Sequence, residues 1–310
     1  MFNGHTDVSE STRHKVETLL ESKDYSRRGS ATTNRDMLEL VFSDLANPWG
    51  SEIVAGVQEV AFEERKILTL SPSGPRNAPD AHWLPSVLQR RPSGVLLVST
   101  EPTPMLQERL ASRSIPFAVI DPAGELPQGV ASVGSTNWAG GLSATRHLIE
   151  LGHTRIAALG GHAHMLCSWA RLDGFRSAMA AAGLPVREDW IRMGDFLPTG
   201  GQAAAERLFA TDDRPTAVFA GNDLQALGVI EVAARRGLRV PEELSVVGYD
   251  DTLVAAWARP KLTTVHQPIR RMAAEATRIV IRLAAGENVQ QRVELATHLV
   301  VWDSTAPAPR

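Results

Sequence analysis

Residues 221–265 read GNDLQALGVIEVAARRGLRVPEELSVVGYDDTLVAAWARPKLTTV, and no other stretch constrains the fold as tightly. A short apolar run, Ala217 to Ala220, leads straight into Asn222 and Asp223. A helical pattern follows, then Val240-Pro241, then a second apolar run, Leu244 to Gly248, ending in Tyr249-Asp250-Asp251. Strands joined by a helix of this length form a βαβ unit and therefore a parallel sheet. Each strand delivers a carboxylate or an amide at its C-terminal end. In an open parallel sheet that edge is where ligands bind.

The same alternation runs through most of the chain. Strand-like runs fall near Leu38–Phe42, Lys66–Leu70, Gly94–Val98, Phe117–Ile120 and Ala131–Gly134, and again near Ile156–Gly160, Trp190–Met193, Ala217–Ala220 and Leu244–Gly248. Amphipathic segments lie between them, near Glu52–Glu64, Pro104–Ser112, Gly140–Leu151, Ala170–Ala182, Gln202–Phe209 and Leu224–Arg236. Gly152-His153 and Gly183-Leu184-Pro185 stop helices. So many strands exceed one compact sheet, so the pattern predicts two similar sheets. Late segments, a strand at Thr263–Gln267, a helix at Ile269–Ala285 and a strand near Val293–Trp302, predict that the chain crosses between lobes more than once. A ligand would sit in the cleft between the lobes.

The 310 residues, 43% of them hydrophobic, can bury more than one core. With 32 Lys and Arg against 35 Asp and Glu, the net charge is −3, so any nucleic-acid contact must be local. The single cysteine, Cys167, excludes an internal disulfide and a cysteine-based metal site. The sequence shows neither a secretory leader nor an apolar run long enough to span a membrane, and a cytoplasmic location is expected.

Residues 1–35 differ from the rest. They are polar and mixed in charge, with a helix start at Ser9-Glu10-Ser11-Thr12, an apolar stripe of Val16, Leu19 and Leu20, and a small-residue basic stretch, SRRGSATT, at 26–33.

Five segments, taken in order, resemble the lactose-repressor/galactose-repressor family of bacterial transcription regulators. They are MFNGHTDVSESTRHKVETLLESKDY at 1–25, FSDLANPWGSEIVAGVQ, TNWAGGLSATRHLIELGHTRIAALGG, RLDGFRSAMAAAGL, and the run from Gly221 to Pro268. The resemblance covers essentially the whole chain. It implies an α/β fold, a two-lobed periplasmic-binding-protein-like effector domain of two parallel doubly wound sheets, preceded by the remnant of an all-α helix-turn-helix headpiece. The expected division is a partial headpiece at 1–25, a linker at 26–35 and an effector domain at 36–310. Lobe 1 would hold 36–135 and 266–285, and lobe 2 would hold 136–265 and 286–303.

By resemblance, Asp121, Arg171, Asn222 and Asp250 hold the hydroxyls of a sugar-like effector, a mono- or disaccharide. Arg171 has the geometry to donate two parallel bonds to adjacent hydroxyls. Trp49, Phe196 and Gln267 match cleft positions, where flat aromatics suit the apolar face of a sugar ring, and Asn137 is expected near the cleft mouth. Strand-end Asp and Asn residues also cap helices, and on their own Asn222 and Asp223 fit either role; the resemblance makes Asn222 the ligand and Asp223 the structural member. Trp138 and Trp169 flank cleft-forming segments in a chain with seven Trp and two Tyr. Operator DNA is the implied partner of a full headpiece, with Asn3, Arg13, Arg27 and Arg28 as the candidate DNA contacts. A homodimer is implied along the flanks near the Glu52–Glu64 and Leu224–Arg236 helices. No cofactor is expected.

Two departures stand out. The sequence opens at Met1-Phe2-Asn3-Gly4, which resembles the last turn of the recognition helix, so residues 1–25 lack the helix that reaches base edges; the expectation is a start placed too late, with the rest encoded upstream. The Ser26–Asn34 stretch is also poor in the residues of a hinge helix that wedges into the minor groove, leaving Arg27 and Arg28 for phosphate contacts.

Catalysis finds little support. The chain has no phosphate-binding P-loop, no dinucleotide fingerprint, no nucleophile elbow and no clustered His and Cys ligands. Adjacent Asp250 and Asp251 at a strand end should point to opposite sides and fail to flank one bond. Solute-binding proteins of the periplasm share the expected fold and supply the second reading, against which the headpiece-like segment stands.

Overall fold

A computed structural model describes residues 34–42, 47–74 and 82–309. The sequence-based readings on the headpiece and on Asn3, Arg13, Arg27 and Arg28 lie outside these residues. From Asn34 the chain forms two six-stranded α/β lobes.

Lobe 1 opens with β1 (Asn34–Phe42), α1 (Pro48–Glu63) and β2 (Ile67–Pro72). It continues with α2 (Trp83–Arg90), β3 (Pro92–Val98), α3 (Pro104–Ala111), β4 (Phe117–Ile120) and β5 (Ala131–Ser135). Lobe 2 runs through α4 (Asn137–Glu150), β6 (Ile156–Gly160), α5 (Leu166–Ala181) and β7 (Ile191–Met193). Then come α6 (Pro198–Leu208), β8 (Ala217–Phe219), α7 (Asp223–Arg235), β9 (Ser245–Asp250), α8 (Leu253–Trp257) and β10 (Thr263–His266). The chain returns to lobe 1 with α9 (Ile269–Ala284) and β11 (Arg292–Leu295), and ends in lobe 2 with β12 (His298–Val300).

The strand orders are β11-β5-β4-β3-β1-β2 and β12-β10-β9-β8-β6-β7. Pairing is parallel throughout the first sheet, and only β12 runs antiparallel, against β10, in the second. Every residue of β3 is buried, as expected of a central strand covered on both faces. One face of the first sheet packs under α1 and α9, the other under α2 and α3. In the second sheet α6 and α7 cover one face and α4 and α5 the other. The α9 helix buries Ile269, Met272, Ala273, Ala276, Ile279 and Val280, a stripe at helical spacing.

Two buried polar side chains in this core are held by several bonds each. Glu39, fully buried on β1, accepts from Trp83 Nε1 (2.6 Å), Ser71 Oγ (2.8 Å) and Arg90 Nη2 (2.6 Å). His153 at the end of the α4 turn joins Thr216 and Ser245, each at 2.9 Å, and is structural.

The chain crosses between the lobes three times, at 135–137, 266–269 and 295–298. The crossings are tied together. Thr136 N donates to Leu295 O (3.0 Å), Thr297 N to Thr136 Oγ1 (3.0 Å), and Gln267 Nε2 to Ser135 Oγ (3.0 Å).

Three boundaries differ from the sequence-based expectation. β1 begins at Asn34, inside the stretch read as linker, because its ladder with β3 starts there. The run near Val293–Trp302, expected in lobe 2, is two strands: Arg292–Leu295 pairs with β5 of lobe 1, and only His298–Val300 belongs to lobe 2. The short polar turn between them lets one apparent strand serve two sheets. α2 and α8 have no counterpart in the sequence reading; both are short, and α2 carries Pro85 within it.

Candidate functional site

The C-terminal ends of the strands of both sheets face one cleft of about 270 Å3. Lobe 1 supplies Phe42, Asn47, Trp49, Ser99 and Asp121, and lobe 2 supplies His162, Arg171, Phe196, Asn222 and Asp250. Five of them follow from the strand rule: Phe42 ends β1, Ser99 follows β3, Asp121 follows β4, Asn222 follows β8 and Asp250 closes β9.

Arg171 is the centre of the lobe 2 wall. It sits on α5 with 3% of its surface exposed. Its Nε donates to Asn137 Oδ1 (2.9 Å) and its Nη1 to the Gly221 carbonyl (2.7 Å). The guanidinium lies 3.6 Å from the centre of the Tyr249 ring, a cation–π stack that fixes its plane. Gly141 makes this possible: a Cβ there would overlap the Arg171 carbonyl, so α4 and α5 could not approach. Nη2 makes no hydrogen bond among the described residues. The nearest carboxylate oxygen, Asp250 Oδ1, lies 3.6 Å from Nη1, an ion pair too long for a hydrogen bond, and is buried without a hydrogen-bond donor. A buried carboxylate oxygen without a donor is costly.

Backbone strain gathers at the same place. Ser99 (φ 46°), Asp121 (φ 49°), Phe196 (φ 62°) and Asp250 (φ 104°) all occupy the left-handed region, and all four line the cleft. Such conformations cost roughly 1 kcal/mol or more for side-chain-bearing residues. Phe196 needs one more concession, because a Cβ at Gly161 would collide with its ring.

Electrostatically the cleft is acidic. Burial holds the carboxyl of Asp250 well above its ordinary value, with Arg171 opposing. Burial likewise raises Asp121, again against Arg171. Asp223 is pushed up to about 7 by burial, although Thr264 and Thr252 donate to it. Cys167 is pushed up to about 12, chiefly by burial and then by Asp121, so it is an inert thiol.

The sequence-selected residues divide. Trp49, Asp121, Arg171, Phe196, Asn222 and Asp250 all line the cleft. Asn222 combines both roles considered for it: Oδ1 caps α7 by accepting from Gln225 N (2.9 Å), and Nδ2 donates to Phe196 O (2.9 Å). Asp223, also at the cleft wall, anchors Thr252 and Thr264. Asn137 lines a neighbouring cavity and steers Arg171 from behind. Gln267 does not line the cleft; it is buried and accepts from Trp49 Nε1 (3.1 Å) while donating to Ser135, so it ties the 266–269 crossing to lobe 1 behind the Trp49 ring. Asp250 and Asp251 point apart as expected: Asp251 pairs with His266 at 2.9 Å, away from the cleft. Sequence reasoning missed Ser99 and His162. Ser99 was reachable by applying the strand-end rule to Gly94–Val98. His162 follows β6 by two residues, yet its Gly160-Gly161-His162 context carries no helix-cap signal.

The comparisons agree with this fold. Residues 145–305 match the family described as periplasmic binding protein-like domain. The HTH-type transcriptional repressor PurR of Vibrio cholerae is 34% identical over 304 residues, spanning 96% of this chain and 90% of that protein. Among solved structures, a transcriptional regulator CelR–cellobiose complex is 33% identical with a TM-score of 0.78, covering 97% of this chain and 93% of its own. A LacI family transcriptional regulator from Enterococcus faecium with bound ribose is 25% identical, with a TM-score of 0.79 over 87% of this chain and 99% of its own. A family match over more than half of the sequence and a relative of this identity spanning nearly all of it place the chain: it belongs to the lactose-repressor/galactose-repressor family and is a ligand-binding regulator of transcription.

Proposed function

We propose that the cleft binds a neutral mono- or disaccharide, and that its binding closes the lobes and changes operator affinity. The observation that carries this reading is the Oδ1 of Asp250, which has no hydrogen-bond donor, beside Arg171 in the cleft. A sugar hydroxyl donates to the former and accepts from the latter at once. Asp121 and Asn222 offer further polar groups, and Phe196 and Trp49 offer ring faces. Asp121, Asp223 and Asp250 stand against the single buried Arg171, which disfavours phosphorylated or acidic sugars. Cellobiose and ribose in the related structures support the same class.

Regulation then works through a difference in affinity between open and closed lobes. The protein acts as a cytoplasmic homodimer, with no enzymatic step. Support for self-association comes from the lobe 1 edge, where Phe62 at the end of α1 and Ile67 and Leu70 on edge strand β2 are exposed apolar residues.

Thermal-shift screening against neutral, amino and phosphorylated sugars tests the reading. A neutral sugar should raise the midpoint of the parent protein, and Phe196→Ala and Arg171→Lys should reduce that rise. A midpoint raised only by anionic ligands would sink the proposal.

A further inference from the structure

Gln225 lies on the first turn of α7 with 1% of its surface exposed, on the buried side of that helix with Ala226 and Val229. A methionine of similar volume would fill such a position without burying any polar atom that needs a partner. The amide is only half paired. Its Nε2 donates to Gly160 O (3.0 Å), and its Oε1 makes no hydrogen bond. A buried acceptor left in this way is a net loss to stability, so an amide at this position calls for a reason other than packing.

The location supplies one. Strands β8, β6 and β7 lie side by side, and their ladders stop short of the cleft. The last pair between β6 and β8 is Ala158 with Phe219, and between β6 and β7 it is Gly160 with Met193. The loops that follow carry Asn222, His162 and Phe196 to the cleft. The Gln225 amide sits where the three strands part. It holds the Gly160 carbonyl and packs tightly on the other two loops: an added Cβ at Gly194 would lie 2.7 Å from Nε2, and one at Gly221 would lie 2.8 Å from Oε1. Its backbone N–H donates to Asn222 Oδ1 (2.9 Å). From these loops the bonding runs on into the site. The Gly221 carbonyl accepts from Arg171 Nη1 (2.7 Å), Asn222 Nδ2 donates to Phe196 O (2.9 Å), and Gly194 N donates to Gly161 O (3.2 Å).

We propose that Gln225 is a positioning residue of the effector site. Its amide braces the three loops of the lobe 2 wall and so fixes His162, Phe196, Asn222 and, through Gly221, Arg171 relative to one another. Gln225 itself does not line the cleft, so it acts through these residues. The amide takes over where the strand ladders end, and a half-site built in this way is held before ligand arrives. The ligand class rests on the carbohydrate reading of the cleft; the brace does not.

Gln225→Met, with Gln225→Leu as a second apolar variant, keeps the volume and deletes the amide. Without ligand, the melting midpoint stays within about 3 °C of the parent, because losing the bond to Gly160 is offset by losing the undonated Oε1. Hydrogen exchange at the Gly194 amide quickens about fivefold or more, as a local opening would make it. With ribose, cellobiose or any other neutral sugar that raises the parent's midpoint, calorimetry shows affinity about tenfold lower, and Gln225→Met combined with Phe196→Ala loses less than the sum of the two. Unchanged exchange, or sugar affinity within twofold of the parent, overturns the brace. A midpoint that falls while the double variant stays additive makes Gln225 a packing residue and overturns it as well. Where no neutral sugar binds the parent, exchange alone decides: a quickened Gly194 amide keeps the brace while the carbohydrate reading fails.

Discussion

The two walls of the cleft are built on opposite plans. On the lobe 2 side, Arg171, Asn137, Asn222, Asp223, Thr252 and Thr264 bind one another and nearby backbone before any ligand arrives. On the lobe 1 side, Asp121 makes no side-chain hydrogen bond among the described residues, and Trp49 reaches across to Gln267 rather than to its own lobe. Lobe 2 is thus a pre-formed half-site that should bind first. On the proposed closure, lobe 1 is the half that would gain contacts. In the proposed function the difference would separate affinity from switching: one wall would set what is bound, and the other what binding does.

Arg171→Ala should break the contrast most severely. It strands Asp250 and leaves the Gly221 carbonyl without its donor, and removing one member of a buried charged pair costs about 3 kcal/mol. Urea unfolding should show that loss, and no sugar should then shift the melting midpoint. Glu39→Ala is the matching change in lobe 1, at a residue that does not line the cleft. It removes the acceptor of Trp83, Ser71 and Arg90 and should cost about 2 kcal/mol while sugar affinity stays within twofold. An affinity that collapses with it would mean the lobes do not divide labour. A smaller effect is expected of Trp49→Phe, which keeps the ring and deletes the bond to Gln267. Affinity should fall about fivefold, roughly 1 kcal/mol, and the ligand-induced change in radius of gyration by small-angle scattering should shrink; an unchanged radius difference removes Trp49 from closure.

The gentlest probe is pH. Burial raises the carboxyl of Asp223 from 3.8 to about 7, so the folded state holds this proton more tightly than the unfolded chain. The stability it brings is complete below the unfolded value and is lost as pH climbs from 3.8 through about 7. The ligand-free protein should therefore melt higher at pH 5 than at pH 8, and Asp223→Asn should flatten that slope. A midpoint that rises with pH would contradict the assignment.

Much of this was written in the chain. The alternation of apolar runs and amphipathic segments placed all the strands of both sheets except the split of the last one. Helix beginnings were harder. α1, α4, α5 and α6 start at Pro48, Asn137, Leu166 and Pro198, three or four residues before the amphipathic pattern becomes visible at Glu52, Gly140, Ala170 and Gln202. The first turns of α1, α4 and α5 border the cleft or the cavity next to it and carry Trp49, Asn137 and Trp169, so the core periodicity fades there. Gln267 illustrates the opposite limit. Its place in the Thr-Thr-Val-His-Gln-Pro run matched a cleft position, but its side chain turns to Ser135 and Trp49, a choice that only the crossing of three strands determines.

The three crossings at 135–137, 266–269 and 295–298 also fix the mechanics. One strand would be a swivel and two a torsion bar. Three strands side by side, stitched through Thr136, Thr297 and Gln267, resist twist and yield mainly to bending, so relative motion of the lobes reduces to rotation about one axis. Such a joint is a lever with its fulcrum beside the ligand. A closure of an ångström near the joint becomes a displacement several times larger at the far end of lobe 1, in proportion to distance. Under the proposed function the molecule would need no long relay of side chains to carry its signal; the rigid lobe itself would be the transmission.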